Sequence, residues 1–233
     1  MICHLVKTRF IEAAHRNPAG GEPQGRLHGH SYRIDILAGG EPSRDVGWIV
    51  DFAALKEAFQ PIEDKLDHSY LNALPGLEED ASLPALQQWI ERRMQPWPPW
   101  LEGVRVRIIG DCRFAPRRLE ADPAAHLPER WHFTFEAAQS LPQLPQTHHC
   151  HAIHGHSYRM EIGVSEMDDV RSSLEALYLL LDHRYLNELP GLDQATTERL
   201  CRWVWNWLGS KGYAPNVVVV QETESSRCVY YGD

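Results

Sequence analysis

The hexapeptide His-Gly-His-Ser-Tyr-Arg occurs twice in this chain, at residues 28–33 and again at 154–159. Side chains alternate between the two faces of a β-strand, so histidines separated by one residue point to the same face. Each motif can therefore present two imidazoles to one metal ion. The repetition predicts a tandem of two similar modules, and the positions where the copies differ indicate which chemistry each has kept.

The repeat continues beyond the hexapeptide, in the same order. Leu-Asp-His-Ser-Tyr-Leu-Asn at 66–72 returns as Leu-Asp-His-Arg-Tyr-Leu-Asn at 181–187, and Leu-Pro-Gly-Leu at 74–77 returns at 189–192. Ordered matches of this kind indicate an internal duplication. We predict a first module at 1–115, a proline-containing linker at 116–129 and a second module at 130–233.

Bulk properties narrow the class of protein. The 233 residues are long enough for two modules that each bury a core. The net charge of −9 argues against broad nucleic-acid binding, which needs a basic surface. No stretch reads as a signal peptide or a membrane span, so we expect a cytoplasmic protein without membrane contact. The five cysteines lack Cys-x-x-Cys spacing and are expected to be free thiols.

Hydrophobic patterning predicts the same order of elements in both modules: strand, strand, helix, helix, strand, strand. In the strand at 28–37, for example, Tyr32, Ile34 and Ile36 alternate with Arg33 and Asp35. Helical spacing appears at 51–72, 83–94, 170–187 and 196–208. The expected class is α+β, with an antiparallel four-stranded sheet and two helices on one of its faces in each module.

The first module carries a candidate metal site. His15 ends the first predicted strand, while His28 and His30 lie on its neighbour, so three imidazoles can form an open zinc site. The alternative interpretation is three polar residues at exposed strand ends.

In the second module, His154 and His156 are retained as candidate ligands, but Gln139 stands where His15 would be. Three further histidines precede the motif and either replace the missing ligand or form a solvated turn: His148, His149 and His151.

Other residues suggest proton transfer. Cys150 lies among histidines, where a neighbouring metal or imidazolium would favour the thiolate; the alternative is an inert small side chain. Two Asp-His pairs, Asp67-His68 and Asp182-His183, can act as relays or simply cap their helices.

An acidic residue, Glu222, follows four valines and can accept two hydrogen bonds from a heterocycle, or can be solvated. Ungapped alignment places Ile109 at its position in module one.

Taken together, these residues resemble the 6-pyruvoyl-tetrahydropterin synthase / 6-carboxy-tetrahydropterin synthase family. The matching segments are Ile-Glu-Ala-Ala-His at 11–15, Phe-Glu-Ala-Ala-Gln at 135–139, Cys-His-Ala-Ile-His-Gly-His-Ser-Tyr at 150–158, Gly-Trp-Ile-Val-Asp-Phe at 47–52, both Leu-Asp-His segments, Ala-Thr-Thr-Glu at 195–198 and Glu-Thr at 222–223.

The resemblance implies two tandem T-fold (tunnelling fold) modules and a lyase acting on 7,8-dihydroneopterin triphosphate. It implies Zn²⁺ held by histidines, a pterin bound by Glu222 with Thr196 and Glu198, and catalysis by Cys150 with an Asp-His pair that a neighbouring subunit usually contributes. In this tandem chain the pair that serves Cys150 could be Asp67-His68 of module one. The 6-carboxy type, in a bacterial deazapurine (queuosine) pathway, is favoured. The alternatives are a 6-pyruvoyl-type lyase, a pterin side-chain aldolase or a non-catalytic pterin-binding module.

Neither module carries the complete family set. Module one has the three histidines but has Gln24 in place of the cysteine and lacks the late glutamate, whereas module two has Cys150 and Glu222 but has Gln139. We therefore expect a division of labour between the modules. Family members close their sheets into barrels, which predicts a homo-oligomer with six modules, most simply a homotrimer.

Overall fold

The computed structural model describes residues 2–165, 167 and 169–232. It contains two β-sheets, one for each copy of the repeat. Module one contains, in chain order, β1 (Cys3–His15), β2 (His28–Gly40), α1 (Phe52–Leu66), β3 (Ser69–Tyr70), α2 (Leu83–Arg93) and β4 (Leu101–Ile108). Module two contains β5 (Arg117–Leu119), β6 (Arg130–Gln139), β7 (His154–Val164), α3 (Arg171–Leu181), β8 (Arg184–Tyr185), α4 (Thr197–Ser210), β9 (Pro215–Thr223) and β10 (Ser226–Tyr230). Within the described residues, no helix is both long and apolar enough to cross a bilayer.

The strand order confirms the α+β class and adds detail to the expected sheets. Module one has four strands in the order β3-β1-β2-β4; module two has six, in the order β10-β9-β7-β6-β5, with β8 also paired to β6. The long strands are antiparallel as expected, but the two-residue strands β3 and β8 run parallel to β1 and β6. Residues Arg117–Leu119, which lie in the segment expected to be the linker, instead form β5 and pair with β6 of module two.

Each sheet buries one face in a hydrophobic core beneath its helices. On β2, Tyr32, Ile34 and Ile36 are buried, and they belong to one cluster with Phe59 of α1 and Trp89 of α2. Module two has its own cluster, built from β6, β7, β9, α3 and α4. Fully burying each large apolar side chain contributes roughly 1.5–3 kcal/mol, so both sheets are firm supports for residues at their strand ends.

A helix cap explains one difference between the two copies. The Asp51 carboxylate accepts a hydrogen bond from the backbone N–H of Ala53 at 2.8 Å and so caps the start of α1. Helix α3 begins after Val170, which offers no side-chain cap. The Asp-Phe pair of the segment 47–52 thus starts a helix in module one, where module two has no matching side-chain cap.

The two modules meet where the repeated hexapeptides face each other. Gly29 and Gly155 approach so closely that a Cβ atom on either would collide with the backbone of the other, which requires glycine at both positions. Beside them, the N–H of Ser31 donates to the hydroxyl of Ser157 and the N–H of Ser157 donates to the hydroxyl of Ser31, both at 3.1 Å. This reciprocal contact brings the histidine ends of β2 and β7 together.

Candidate active sites

The end of the first sheet gathers the three predicted metal ligands of module one. Strand pairing places His15 opposite His28, and His30 lies two residues further along β2 on the same face. The ring centroids of these buried histidines lie 4.4–4.9 Å apart. Their ligand nitrogens fall within 4.8 Å of one another. The pairing of β1 with β2 and the two-residue spacing along β2 therefore place three imidazoles next to one another.

Hydrogen bonds fix the orientation of all three rings. The Nδ1 atom of His15 lies 3.0 Å from the Ala81 carbonyl, Nδ1 of His28 lies 2.8 Å from the Arg26 carbonyl, and Nδ1 of His30 lies 2.7 Å from Glu136 Oε2. Since these partners are acceptors, each Nδ1 carries the proton and each Nε2 keeps its lone pair.

The free nitrogens fit a metal ion. His15 Nε2 is buried without a hydrogen-bond partner, which is costly unless a ligand satisfies it. Burial lowers the pKa of His28 and of His30 to about 3, so both rings stay neutral, as ligands must. Three neutral imidazole nitrogens with a position left open match the donor set of a catalytic zinc site.

Module two contributes an Asp-His pair to this site. The His183 ring lies 4.2 Å from the His28 ring, centroid to centroid, and its Nδ1 lies 2.6 Å from Asp182 Oδ2. A cavity of about 330 Å³ opens here, lined by the three histidines and His183 and also by Asn17, Gln24, Ser82, Leu83, Pro84, Ile108 and Cys112.

A thiol that sequence reasoning did not single out, Cys112, lines this cavity. Its Sγ lies 3.9 Å from Glu136 Oε1. Burial of the thiol and the negative charges of Glu136 and Asp182 raise the pKa of Cys112 to about 12, which disfavours a thiolate. Because Cys112 lies far from the His-Gly-His motif in the chain, only the fold reveals its position.

The corresponding place in module two has a different set of donors. His154 and His156 repeat the positions of His28 and His30, and Gln139 takes the position of His15 opposite His154. The potential metal-ligand atoms of His154, His156 and Glu222 lie within 4.8 Å of one another. Among the described residues, the third potential ligand is therefore Glu222 rather than one of the histidines at 148, 149 and 151.

Glu222 is engaged by its neighbours in this site. It accepts a hydrogen bond from the Gln139 amide, and its Oε1 lies 3.0 Å from His156 Nε2. On the other side, His156 Nδ1 lies 2.8 Å from Glu12 Oε2. Burial acts against the charged form, but Glu12 and then Glu222 raise the pKa of His156 to about 9. The His156 ring therefore lies between the side chains of Glu12 and Glu222, one at each of its nitrogens.

Cys150 lies beside the Asp-His pair of module one. One nitrogen of His68, the sulfur of Cys150 and one nitrogen of His154 lie within 4.8 Å of one another. On its other side, His68 Nδ1 lies 3.0 Å from Asp67 Oδ2. Burial lowers the pKa of His68, but Asp67 and Cys150 outweigh it and raise the value to about 10. A neutral imidazole at this place can take the proton of the neighbouring thiol, and the Asp67 carboxylate stabilises the imidazolium that results.

Both Asp-His pairs are held by the strand of their own module. The backbone N–H of His68 donates to the Glu12 carbonyl at 2.7 Å, and that of His183 donates to the Glu136 carbonyl at 2.6 Å. Both histidines have φ near +53°, a conformation that is strained for a residue with a Cβ and is often found at functional sites. Each pair then faces the histidines of the other module.

Two sequence expectations need correction or remain without support. The register of β2 with β4 and of β7 with β9 places Ile108, not Ile109, at the position of Glu222. Thr196 accepts a hydrogen bond from the Arg199 N–H and caps α4, while Glu198 is exposed in its first turn. No described hydrogen bond joins either residue to Glu222.

Comparison with known proteins places the chain in context. The family model described as 6-pyruvoyl tetrahydropterin synthase matches it twice, at residues 4–108 and 130–233. The chain is also similar to a 6-carboxy-5,6,7,8-tetrahydropterin synthase of Synechocystis, at 35% identity over 119 residues, which cover 48% of this chain and 90% of the relative. A protein of the same name from Bacillus subtilis is 34% identical over 79 residues, 33% of this chain and 51% of the relative.

Among solved structures, the 6-pyruvoyl tetrahydropterin synthase of Caenorhabditis elegans aligns at a TM-score of 0.41 with 16% identity, over 46% of this chain and 96% of that one.

Proposed function

The chain belongs to the 6-pyruvoyl tetrahydropterin synthase family as a tandem of two T-fold modules, and we propose that it is a zinc-dependent lyase acting on 7,8-dihydroneopterin triphosphate. The 6-carboxy-tetrahydropterin is the product we favour, because the similar proteins of Synechocystis and B. subtilis carry that name. A role in a bacterial deazapurine pathway would follow from that product.

The observation that carries the proposal is the convergence of His15, His28 and His30, each with Nδ1 bound to an acceptor and with Nε2 left for a ligand. When bound there, zinc supplies Lewis-acid polarisation of a substrate hydroxyl or carbonyl oxygen. His183, held by Asp182, lies at the same cavity and can hold or release a proton.

Module two supplies the groups for binding and proton transfer. Cys150 exchanges a proton with His68, whose charged form Asp67 stabilises. Glu222 is the residue that would accept hydrogen bonds from the guanidine-like edge of a pterin. For this, ligand N–H groups must replace the Gln139 amide that it binds in the free protein. We therefore infer a division of labour, with the metal in module one and the pterin in module two.

The direct test is product analysis. Purified protein is incubated with 7,8-dihydroneopterin triphosphate, and the products are identified by mass spectrometry before and after metal removal and zinc restoration. We expect zinc-dependent loss of triphosphate and formation of the 6-carboxy product. The 6-carboxy product keeps one of the three side-chain carbons and releases the other two. A 6-pyruvoyl product, which keeps all three, or a 6-hydroxymethyl product from aldol cleavage would assign one of the other lyase types. Binding of the substrate with no turnover at any zinc concentration would contradict the proposal.

We also propose that three chains assemble so that six modules close their sheets. Residues 3–10 of β1 pair with β2 on one side, and the only other strand paired with β1 in the described chain, β3, covers residues 13 and 14. Phe10 and Val6 are about half exposed on that strand, and open edges of this kind favour pairing with another chain. Light scattering at micromolar concentration should report a trimer; a stable monomer would contradict this assembly. The cytoplasmic location remains a prediction.

A further inference from the structure

Glu136, in the middle of β6, is a completely buried carboxylate at the boundary between the modules. Its Oε2 lies 2.7 Å from His30 Nδ1 of module one and accepts a second hydrogen bond, also 2.7 Å, from the hydroxyl of Ser157. Burial, together with the charge of Asp182, raises the pKa of Glu136 to about 8, so its ionised form needs hydrogen-bond partners for its oxygens. Here the partners fix its position, and one of them is a candidate metal ligand of the other module.

The backbone of the same residue holds the Asp-His pair. The Glu136 N–H donates to Asp182 Oδ1 at 2.9 Å, and its carbonyl accepts from the N–H of His183 at 2.6 Å. One residue of β6 therefore touches both the ligand His30, through its side chain, and the Asp182-His183 pair, through its main chain. Exchanging the Glu136 carboxylate for an amide changes the side-chain contact with His30 and leaves the main-chain contacts with Asp182 and His183 in place.

The mirror-image contact exists at the other site. Oε2 of Glu12, on β1, lies 2.8 Å from His156 Nδ1 of module two and accepts a hydrogen bond of 2.6 Å from the Ser31 hydroxyl. The backbone carbonyl of Glu12 accepts a hydrogen bond from the N–H of His68. The two contacts are chemically alike, but only that of Glu136 supports a complete set of three histidines. This gives the molecule an internal control.

We propose that Glu136 of module two is a positioning residue for the metal ligand His30 of module one, so that the metal site depends on a residue of the module that supplies none of its ligands. This rests on the proposed metal site at His15, His28 and His30. A carboxylate that accepts the Nδ1 proton of a ligating histidine fixes its tautomer and raises the basicity of Nε2. Loss of such a partner typically lowers metal affinity 10–100-fold.

The experiment measures zinc affinity by competition with a chromogenic chelator, on the full chain, for wild type, Glu136→Gln and Glu12→Gln. We expect affinity at the tighter site to fall about 10–100-fold in Glu136→Gln and to change less than about threefold in Glu12→Gln. Spectra of the cobalt-substituted proteins provide a second readout, because a reoriented His30 should shift the visible bands in Glu136→Gln alone. Circular dichroism establishes that each variant is folded.

A second variant moves the same carboxylate without changing it. A Cβ atom at Gly110 would collide with Glu136 Oε1, so Gly110→Ala should displace the side chain and also weaken zinc binding. Wild-type affinity and cobalt spectrum in a folded Glu136→Gln would overturn the inference, as would equal losses in Glu136→Gln and Glu12→Gln. Failure of the wild type itself to bind zinc would instead overturn the proposed function, so the two failures are distinguishable.

Discussion

The two sites differ at a few positions within nearly the same backbone. At the end of the first long strand, module one has His15 where module two has Gln139; on the last shared strand, module one has Ile108 where module two has Glu222. In module one the result is three neutral imidazoles beside a cavity, whereas in module two a carboxylate lies among His156 and the Gln139 amide. A duplicated fold can thus keep its supports while two substitutions exchange a set of three histidines for a set of two histidines and a carboxylate.

The largest effect is expected from the thiol of module two. Cys150→Ala should lower turnover by at least roughly a hundredfold, because it removes a proton-transfer group whose contribution is typically 10²–10⁴. Pterin binding should stay within a few-fold. Product formation and equilibrium binding are measured on the same preparation. The matched control is Cys112→Ala in module one; a larger loss in that variant would assign the chemistry to the module-one thiol.

Removal of a ligand should empty the metal site of module one. His28→Ala is expected to lose about one zinc equivalent per chain in elemental analysis, because two imidazoles hold zinc weakly. The matched change in module two, His154→Ala, should leave that equivalent in place. Full metal retention in His28→Ala, or loss only in His154→Ala, would reverse the comparison between the sites.

Gln139→His sharpens the comparison by a gain of metal. It restores the third imidazole at the position of His15, opposite His154, and removes the amide that donates to Glu222. We expect additional zinc binding, approaching one more equivalent per chain at zinc excess. The measurement is zinc titration followed by elemental analysis. An unchanged stoichiometry would mean that the missing third imidazole is not what limits zinc binding in module two.

The smallest of these effects concerns the pterin. Glu222→Gln replaces an acceptor oxygen with a donor, and we expect affinity for the pterin to fall roughly tenfold or more, since about 1.4 kcal/mol corresponds to a factor of ten. Asp111→Asn changes the acidic residue of module one that lies nearest in sequence to Ile108, the counterpart of Glu222. This change should alter the affinity for the pterin little. Titration with a fluorescent pterin measures both. The opposite ranking would place the ligand pocket in module one.

Much of the architecture could be predicted from sequence. The period-two pattern around Tyr32 and the helical spacing around Phe59 indicate strand and helix locally, and the repeat supplies the tandem organisation. The short parallel strands β3 and β8 could not be predicted, because two residues carry no periodicity. The strand at 117–119 could not be assigned to module two, because three residues carry too little periodicity to distinguish a strand from the linker expected at 116–129.

The sequence by itself determined the two modules, their α+β class and the spacing that puts His28 and His30 on one face, since these follow from local periodicity and an ordered repeat. Tertiary structure alone decided which residues meet across the modules. Contacts such as Glu136 with His30 join positions 106 residues apart, and the approach of Gly29 to Gly155 depends on how two sheets dock. No local pattern encodes such pairs, because they arise only when the separate cores fix both strand ends in space.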